Sequence, residues 1–212
     1  METETICRDI YRETRAFYAS KKIPLGSAAQ GFRILYGPPI ANAPYIFVGY
    51  QPGGVLVDAL PDEHDTWPAE FDYTYEKWPL AVYARETWGL SVLKQCTALN
   101  SIFFRARSID EWQHVSRSLR DEIERFCRSR AERIVRALRP HRIVVVGMNT
   151  FHDLTNGGDI SLKSDKRVLV KTDFLWGTPV YGIIHLSGAR ISRVDRDKLA
   201  AYFAALPNRP DS

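Results

Sequence analysis

The sequence predicts an α/β protein, a three-layer α/β/α sandwich around a mainly parallel central sheet. Short apolar runs at 45–50, 143–146 and 180–184 read as buried strands. Longer segments with helical spacing alternate with them. Two polar motifs begin where strands run out. Gly49-Tyr50-Gln51-Pro52-Gly53-Gly54 follows the first run and His185-Leu186-Ser187-Gly188 follows the last. Both should open at the carboxyl edge of one parallel sheet, where open α/β sheets bind ligands.

Taken in order, Ile6, Ile10 and Phe17 predict an amphipathic first helix that ends before Lys21-Lys22-Ile23-Pro24. The strand at 45–50 comes next. Between Pro61 and Pro79 lie Trp67, Phe71, Tyr73, Tyr75 and Trp78 among acids and prolines, without a period of 2 or 3.6. This reads as a long aromatic loop with room for one short helix, and long loops in compact domains are usually functional. Val92, Leu93, Cys96, Ala98 and Leu99 lead into a strand ending near Asn100. Leu119, Ile123, Phe126, Cys127, Ile134, Val135 and Leu138 recur at helical spacing until Pro140 stops the helix. Ile143 to Val146 is a strand apolar on both faces, followed by Gly147. Residues 167–184, broken at Gly177-Thr178-Pro179, read as an edge hairpin that delivers the last central strand. Ser192 with Asp195 resembles a capping box for a final helix to about Leu206.

The chain has 212 residues without a Ser/Gly linker or low-complexity tract, which predicts a single domain over 1–212. Its residues are 45% hydrophobic and 25% charged, and no apolar run has the length of a membrane helix. The acidic start Met1-Glu2-Thr3-Glu4-Thr5 lacks the character of a secretory signal. Cys7, Cys96 and Cys127 are too scattered for a disulfide framework or a metal cluster, so the expectation is a cytoplasmic protein without a structural metal. The net charge of +4 is unevenly spread. Arginines crowd the segment from Arg105 to Arg142, where Asp121, Glu122, Glu124 and Glu132 can pair with them on a solvated helix face. The cluster Arg190, Arg193, Arg196 and Lys198 follows the second motif and suits a phosphate backbone.

Each motif has a chemical and a structural reading. Pro52-Gly53-Gly54 lets the backbone approach a ligand, or packs a tight turn. The Gln51 amide cannot act as a base but can hold a water or a backbone group. Asn100 can read a pyrimidine edge in a bidentate way, or cap a turn. His185 can donate to an oxygen gaining negative charge, or close a strand. Three such groups at one sheet edge favour a site, because the structural reading must explain each separately.

With these motifs in this order the chain resembles the uracil-DNA glycosylase superfamily, over about residues 44–192. Gly49-Tyr50-Gln51-Pro52-Gly53 is similar to the family's Gly-x-Asp/Asn-Pro-Gly/Tyr water-positioning loop. Ala98-Leu99-Asn100 is similar to its base-reading strand, and His185-Leu186-Ser187-Gly188-Ala189-Arg190 to its His/Asn-Pro-Ser loop. The resemblance implies a uracil-DNA glycosylase-like fold and excision of uracil or a related deaminated base from a flipped nucleotide. Gln51 and His185 would be catalytic, with Gly49, Tyr50, Gly53 and Asn100 around the base. Ser187, Gly188, Arg190 and Arg193 would contact DNA, with Arg190 or Ile191 filling the vacated stack. An aromatic from the 67–78 loop would stack on the base. The resemblance implies a monomer acting on damaged DNA, with no cofactor and no metal. Two positions depart from the pattern: Gln51 stands at the usual Asp or Asn, and Leu186 at the usual proline. The alternative is a member that binds nucleic acid or a nucleobase without cleaving it. A nucleotide-handling enzyme using the Gly-rich turn for phosphate is disfavoured, because the turn lacks the Lys-Ser/Thr ending of a P-loop.

Overall fold

The computed structural model describes residues 2–53, 67–165, 167–187 and 191–207. Six strands form one mixed sheet in the order β2-β1-β3-β6-β5-β4. They are β1 (Ile46–Gly49), β2 (Thr97–Asn100), β3 (Ile143–Val146), β4 (Asp159–Lys163), β5 (Val168–Leu175) and β6 (Thr178–Ile183). The pairs β1–β2, β1–β3 and β3–β6 are parallel, while β5 runs antiparallel to both β6 and β4.

The side-chain period of a strand explains the layers. In β1 and β3, Ile46, Val48, Ile143 and Val145 face one core, which they share with the helices α1 (Glu2–Leu25), α4 (Ile109–His114), α5 (Arg117–Leu138) and α6 (Met148–Leu154). Phe47, Val144 and Val146 face the other, packed by α2 (Pro79–Trp88), α3 (Leu90–Leu93) and α7 (Arg193–Ala204). The result is the predicted three-layer α/β/α sandwich. No helix among the described residues is long and apolar enough to cross a membrane.

Several elements differ from the sequence reading. Helix α1 continues through Lys21-Lys22-Ile23-Pro24 to Leu25. A 2.6 Å ion pair from Lys21 to Glu122 of α5 and the burial of Leu25 hold this last turn, against the missing N–H of Pro24. The β5–β6 hairpin is interior rather than at the edge, because β4 pairs outside it. Its turn is Trp176–Gly177, both at positive φ (53° and 82°), the geometry of a two-residue hairpin. Ser192 caps α7 by accepting from the Asp195 N–H at 3.1 Å, and the helix ends at Ala204. A short 3₁₀ turn at Asp72–Thr74 sits inside the aromatic segment.

The arginines of α5 are largely engaged. Arg136 pairs with Glu132, and Arg130 and Arg133 reach Glu13 of α1. Arg128 donates to the carbonyls of Asp153 and Leu154. The helix face is thus a paired surface and a clamp between elements. Cys7, Cys96 and Cys127 are buried, and desolvation pushes each thiol up to about 12. Such thiols are inert as nucleophiles. The folded protein should therefore take up a thiol reagent such as Ellman's reagent only after denaturant is added; rapid labelling of the native state would contradict this burial.

Candidate active site

The chain leaves β1 toward β2 and returns past β1 to reach β3, so the topological switch point lies between β1 and β3. At the carboxyl ends of these strands the structure has a cleft of about 1330 Å³, lined by Gly49, Tyr50, Gln51, Gly53, Asn100, His185 and Ser187 among others. The residues that the sequence singled out from separate motifs are therefore neighbours in space. Ligands of open α/β sheets bind at this place.

Strand register positions the first two. Gly49 is the direct partner of Asn100 at the ends of β1 and β2. A Cβ on Gly49 would overlap Asn100 Oδ1, so the absence of a side chain is what lets the amide lie across the strand end. Asn100 is buried, and its Nδ2 donates to the Tyr36 hydroxyl at 2.8 Å. One N–H of the amide is thereby committed, and its orientation is set. The loop after β1 is zipped to the loop after β2. Ser101 N–H donates to the Gly49 carbonyl at 2.8 Å, and both Ile102 N–H and the Ser101 hydroxyl donate to the Tyr50 carbonyl at 2.9 Å. Gln51 completes the zipper, its Nε2 donating to the Phe104 carbonyl at 3.0 Å. Of the two roles open to this amide, the backbone one is observed, with Oε1 remaining as an acceptor.

His185 follows β6. The Ser187 N–H lies 3.3 Å from His185 Nδ1 and the Ser187 hydroxyl 3.1 Å from it. A backbone N–H can only donate, so Nδ1 is the acceptor and the neutral ring carries its proton on Nε2. The outer edge of the ring is exposed, but the cleft walls desolvate enough of it to hold the pKa below the ordinary histidine value. On acidification the unfolded chain takes up this proton first, so His185 makes stability fall as pH drops below about 6.5. A proton NMR titration should accordingly give a midpoint below 6.5 for the resonance lost in His185→Ala. A midpoint above that value would mean an anionic neighbour, and a charged ring.

Gly147, at φ +108°, ends β3 and passes beneath His185, whose Cδ2 would lie 3.8 Å from a Cβ placed there. Ser187 lines the cleft, whereas Arg193 is exposed at the start of α7 and is not among the lining residues. Gly54, Gly188 and Arg190 lie outside the described residues. Ile191 is 9% exposed and packed in the α7-side core, which is incompatible with insertion into a DNA stack. Arg196 is held against α2, 4.2 Å from the Tyr83 ring centre and 3.8 Å from Glu86. Of the aromatic segment, Phe71 is core, stacked on Tyr73 at 4.5 Å. Trp67, Tyr73 and Trp78 line the cleft.

Sequence reasoning missed Tyr36, Arg33 and Arg105, all on the cleft wall. Arg33 lies over the Tyr36 ring at 4.1 Å and pairs with buried Asp72 at 2.6 Å. Burial raises the Tyr36 and Asp72 pKa values, the nearby Arg33 opposing it in each case. A short strand-like run, Phe32-Arg33-Ile34-Leu35-Tyr36 between Gly31 and Gly37, was the available signal for Tyr36 and Arg33, while Arg105 stood at the head of the arginine-rich segment read as a solvated helix face. Among the described residues no group of His, Cys, Asp or Glu side chains could hold a metal ion.

No family model matches the chain, and no curated protein matches it.

Proposed function

We propose that this protein is a DNA glycosylase of the uracil-DNA glycosylase type, which flips uracil or a related deaminated base into the cleft and hydrolyses its N-glycosidic bond. One observation carries the reading: an amide of fixed orientation, Asn100, and a neutral imidazole with its proton on Nε2, His185, share one cleft at the sheet's switch point. In this reading Asn100 offers Oδ1 and its second N–H to the hydrogen-bonding edge of the base. As the C1′–N1 bond breaks, its electron pair moves onto the base, and His185 Nε2–H stabilises the charge gathering on a carbonyl oxygen. Water then adds to C1′, and the proton it loses passes through solvent to the departing base anion, which leaves neutral. Gln51 Oε1 can accept one of the water's hydrogens and so orient it, without removing the proton. Trp67, Tyr73 or Trp78 is the stacking surface, and Ser187, Gly188, Arg190 and Arg193 are the contacts to the strand.

The test is alkali-revealed cleavage of labelled single- and double-stranded oligonucleotides carrying uracil or hypoxanthine. Cleavage by the parent protein but not by His185→Ala is the expected result; no product from folded protein in excess would refute catalysis. The second reading, binding without cleavage, is favoured by Gln51, whose amide nitrogen is spent on the Phe104 carbonyl and which has no basic atom. Retained binding of a uracil oligonucleotide without product would support it.

A further inference from the structure

Arg33 and Arg105 stand one residue to either side of a short antiparallel bridge, Phe32–Phe104. Arg33 N–H donates to the Phe103 carbonyl at 2.8 Å and Arg105 N–H to the Gly31 carbonyl at 2.9 Å, so both are carried on the same paired backbone. Both line the cleft beside Tyr36, whose hydroxyl touches Asn100. Their neutralisation is unequal. Arg33 has Asp72, which is itself nearly fully buried and also accepts from the Tyr75 hydroxyl at 3.1 Å. Arg105 is half-buried, and among the described residues its guanidinium makes neither a hydrogen bond nor an ion pair. Glu76, also on the wall, pairs with neither arginine. Desolvation, the largest effect, and the Arg33 charge disfavour the Arg105 cation, and nearby Tyr36 and Asp72 offset them only in part. A desolvated guanidinium without an acid is costly, and such groups are stabilised by an anion that arrives with a ligand.

We infer that Arg105, assisted by Arg33, forms a phosphate subsite inside the cleft, which holds a phosphate of the same nucleotide whose base is read by Asn100. The inference rests on the nucleobase reading for its second half only, since the guanidinium pair would hold a phosphate whatever the base. Tyr36 connects the two parts, its hydroxyl end meeting the amide and its ring face meeting Arg33. The phosphate has two possible sources, a nucleic acid strand or a free mononucleotide. In both, the chemistry recognised is a phosphate next to a base edge.

Calorimetry on the intact protein with uracil, deoxyuridine and deoxyuridine 5′-monophosphate tests this directly. The parent protein should bind the monophosphate at least about tenfold more tightly than the nucleoside, as one charge-assisted contact would give. Arg105→Gln should erase that difference while leaving nucleoside binding in place, and Arg105→Lys should restore part of it. Equal binding of nucleoside and nucleotide by the parent protein overturns the subsite without reference to any variant. The source is read from a uracil oligonucleotide with a neutral methylphosphonate beside the uracil. Weaker binding of that oligonucleotide by the parent protein and not by Arg105→Gln identifies a strand; an unchanged oligonucleotide with tight mononucleotide binding identifies the free form. Inorganic phosphate separates the phosphate subsite from the base-binding role of Asn100. Protection of the parent protein and not of Arg105→Gln against thermal unfolding, with no preference for uracil, keeps the subsite and removes the base reading. Uracil release without any phosphate dependence does the reverse.

Discussion

Replacing His185 by alanine should lower uracil release by about 10²- to 10³-fold, the usual cost of losing one preorganised donor to a developing anion. Thermal stability should change little, because the ring is exposed at the cleft rather than packed in either core. The loss should fall on kcat rather than KM, since the bond to the base oxygen strengthens as charge builds. His185→Gln, which retains an N–H at similar reach, should recover part of the rate. Equal activity of the alanine variant and the parent would remove His185 from the chemistry and leave it as a cap on the loop after β6.

Gly49→Ala should be nearly as damaging, although it adds a single methyl group. That methyl would overlap Asn100 Oδ1, so the amide must turn away and release Tyr36, or the ends of β1 and β2 must separate. Displacement of a positioned group by about 1 Å can cost about 10²-fold in rate. The cause can be isolated by a double-mutant cycle. If the damage runs through Asn100, Gly49→Ala should add almost nothing in an Asn100→Ala background, because the clashing atom is gone. Full additivity would instead mean that the methyl acts on the backbone or on the ligand itself.

The readable parts of this fold were those with a strong local signal. β1 and β3 are short runs of apolar residues on both faces, and α5 repeats its apolar positions over six turns before an αL residue, Arg139, and Pro140 end it. The unread parts carry weak or conflicting signals. α6 has seven residues, too few to display a period, and β4 reads Asp-Ile-Ser-Leu-Lys with its pattern almost wholly exposed. α2 begins with Pro79 directly after the aromatic segment, whose prolines and acids disguise the start of a helix. The site divides along the same line. Gly49, Gln51, Asn100 and His185 sit at the ends of legible strands, where a polar residue after an apolar run is conspicuous. Tyr36 acts across 64 residues of chain, and only the pairing of its segment with β2 brings it to Asn100. Sequence spacing carries no trace of such a contact. Ile191 shows the opposite failure, since its place beside the second motif suggested a wedge and its burial beneath α7 rules one out.

The segment that supplies Tyr36 also closes the sheet. β2 is the terminal strand, and residues 32–36 run antiparallel along its outer side, with Leu35 bridging Leu99 and Tyr36 N–H donating to the Ala98 carbonyl at 2.9 Å. Tyr18 and Tyr11 of α1 fasten this segment through hydroxyl bonds to the N–H groups of Gly31 and Leu35. An open strand edge is a template for pairing with another chain. The same few residues that orient the Asn100 amide therefore also guard against self-association, and a chain shortened at its amino end would lose that orientation and gain adhesiveness in one step.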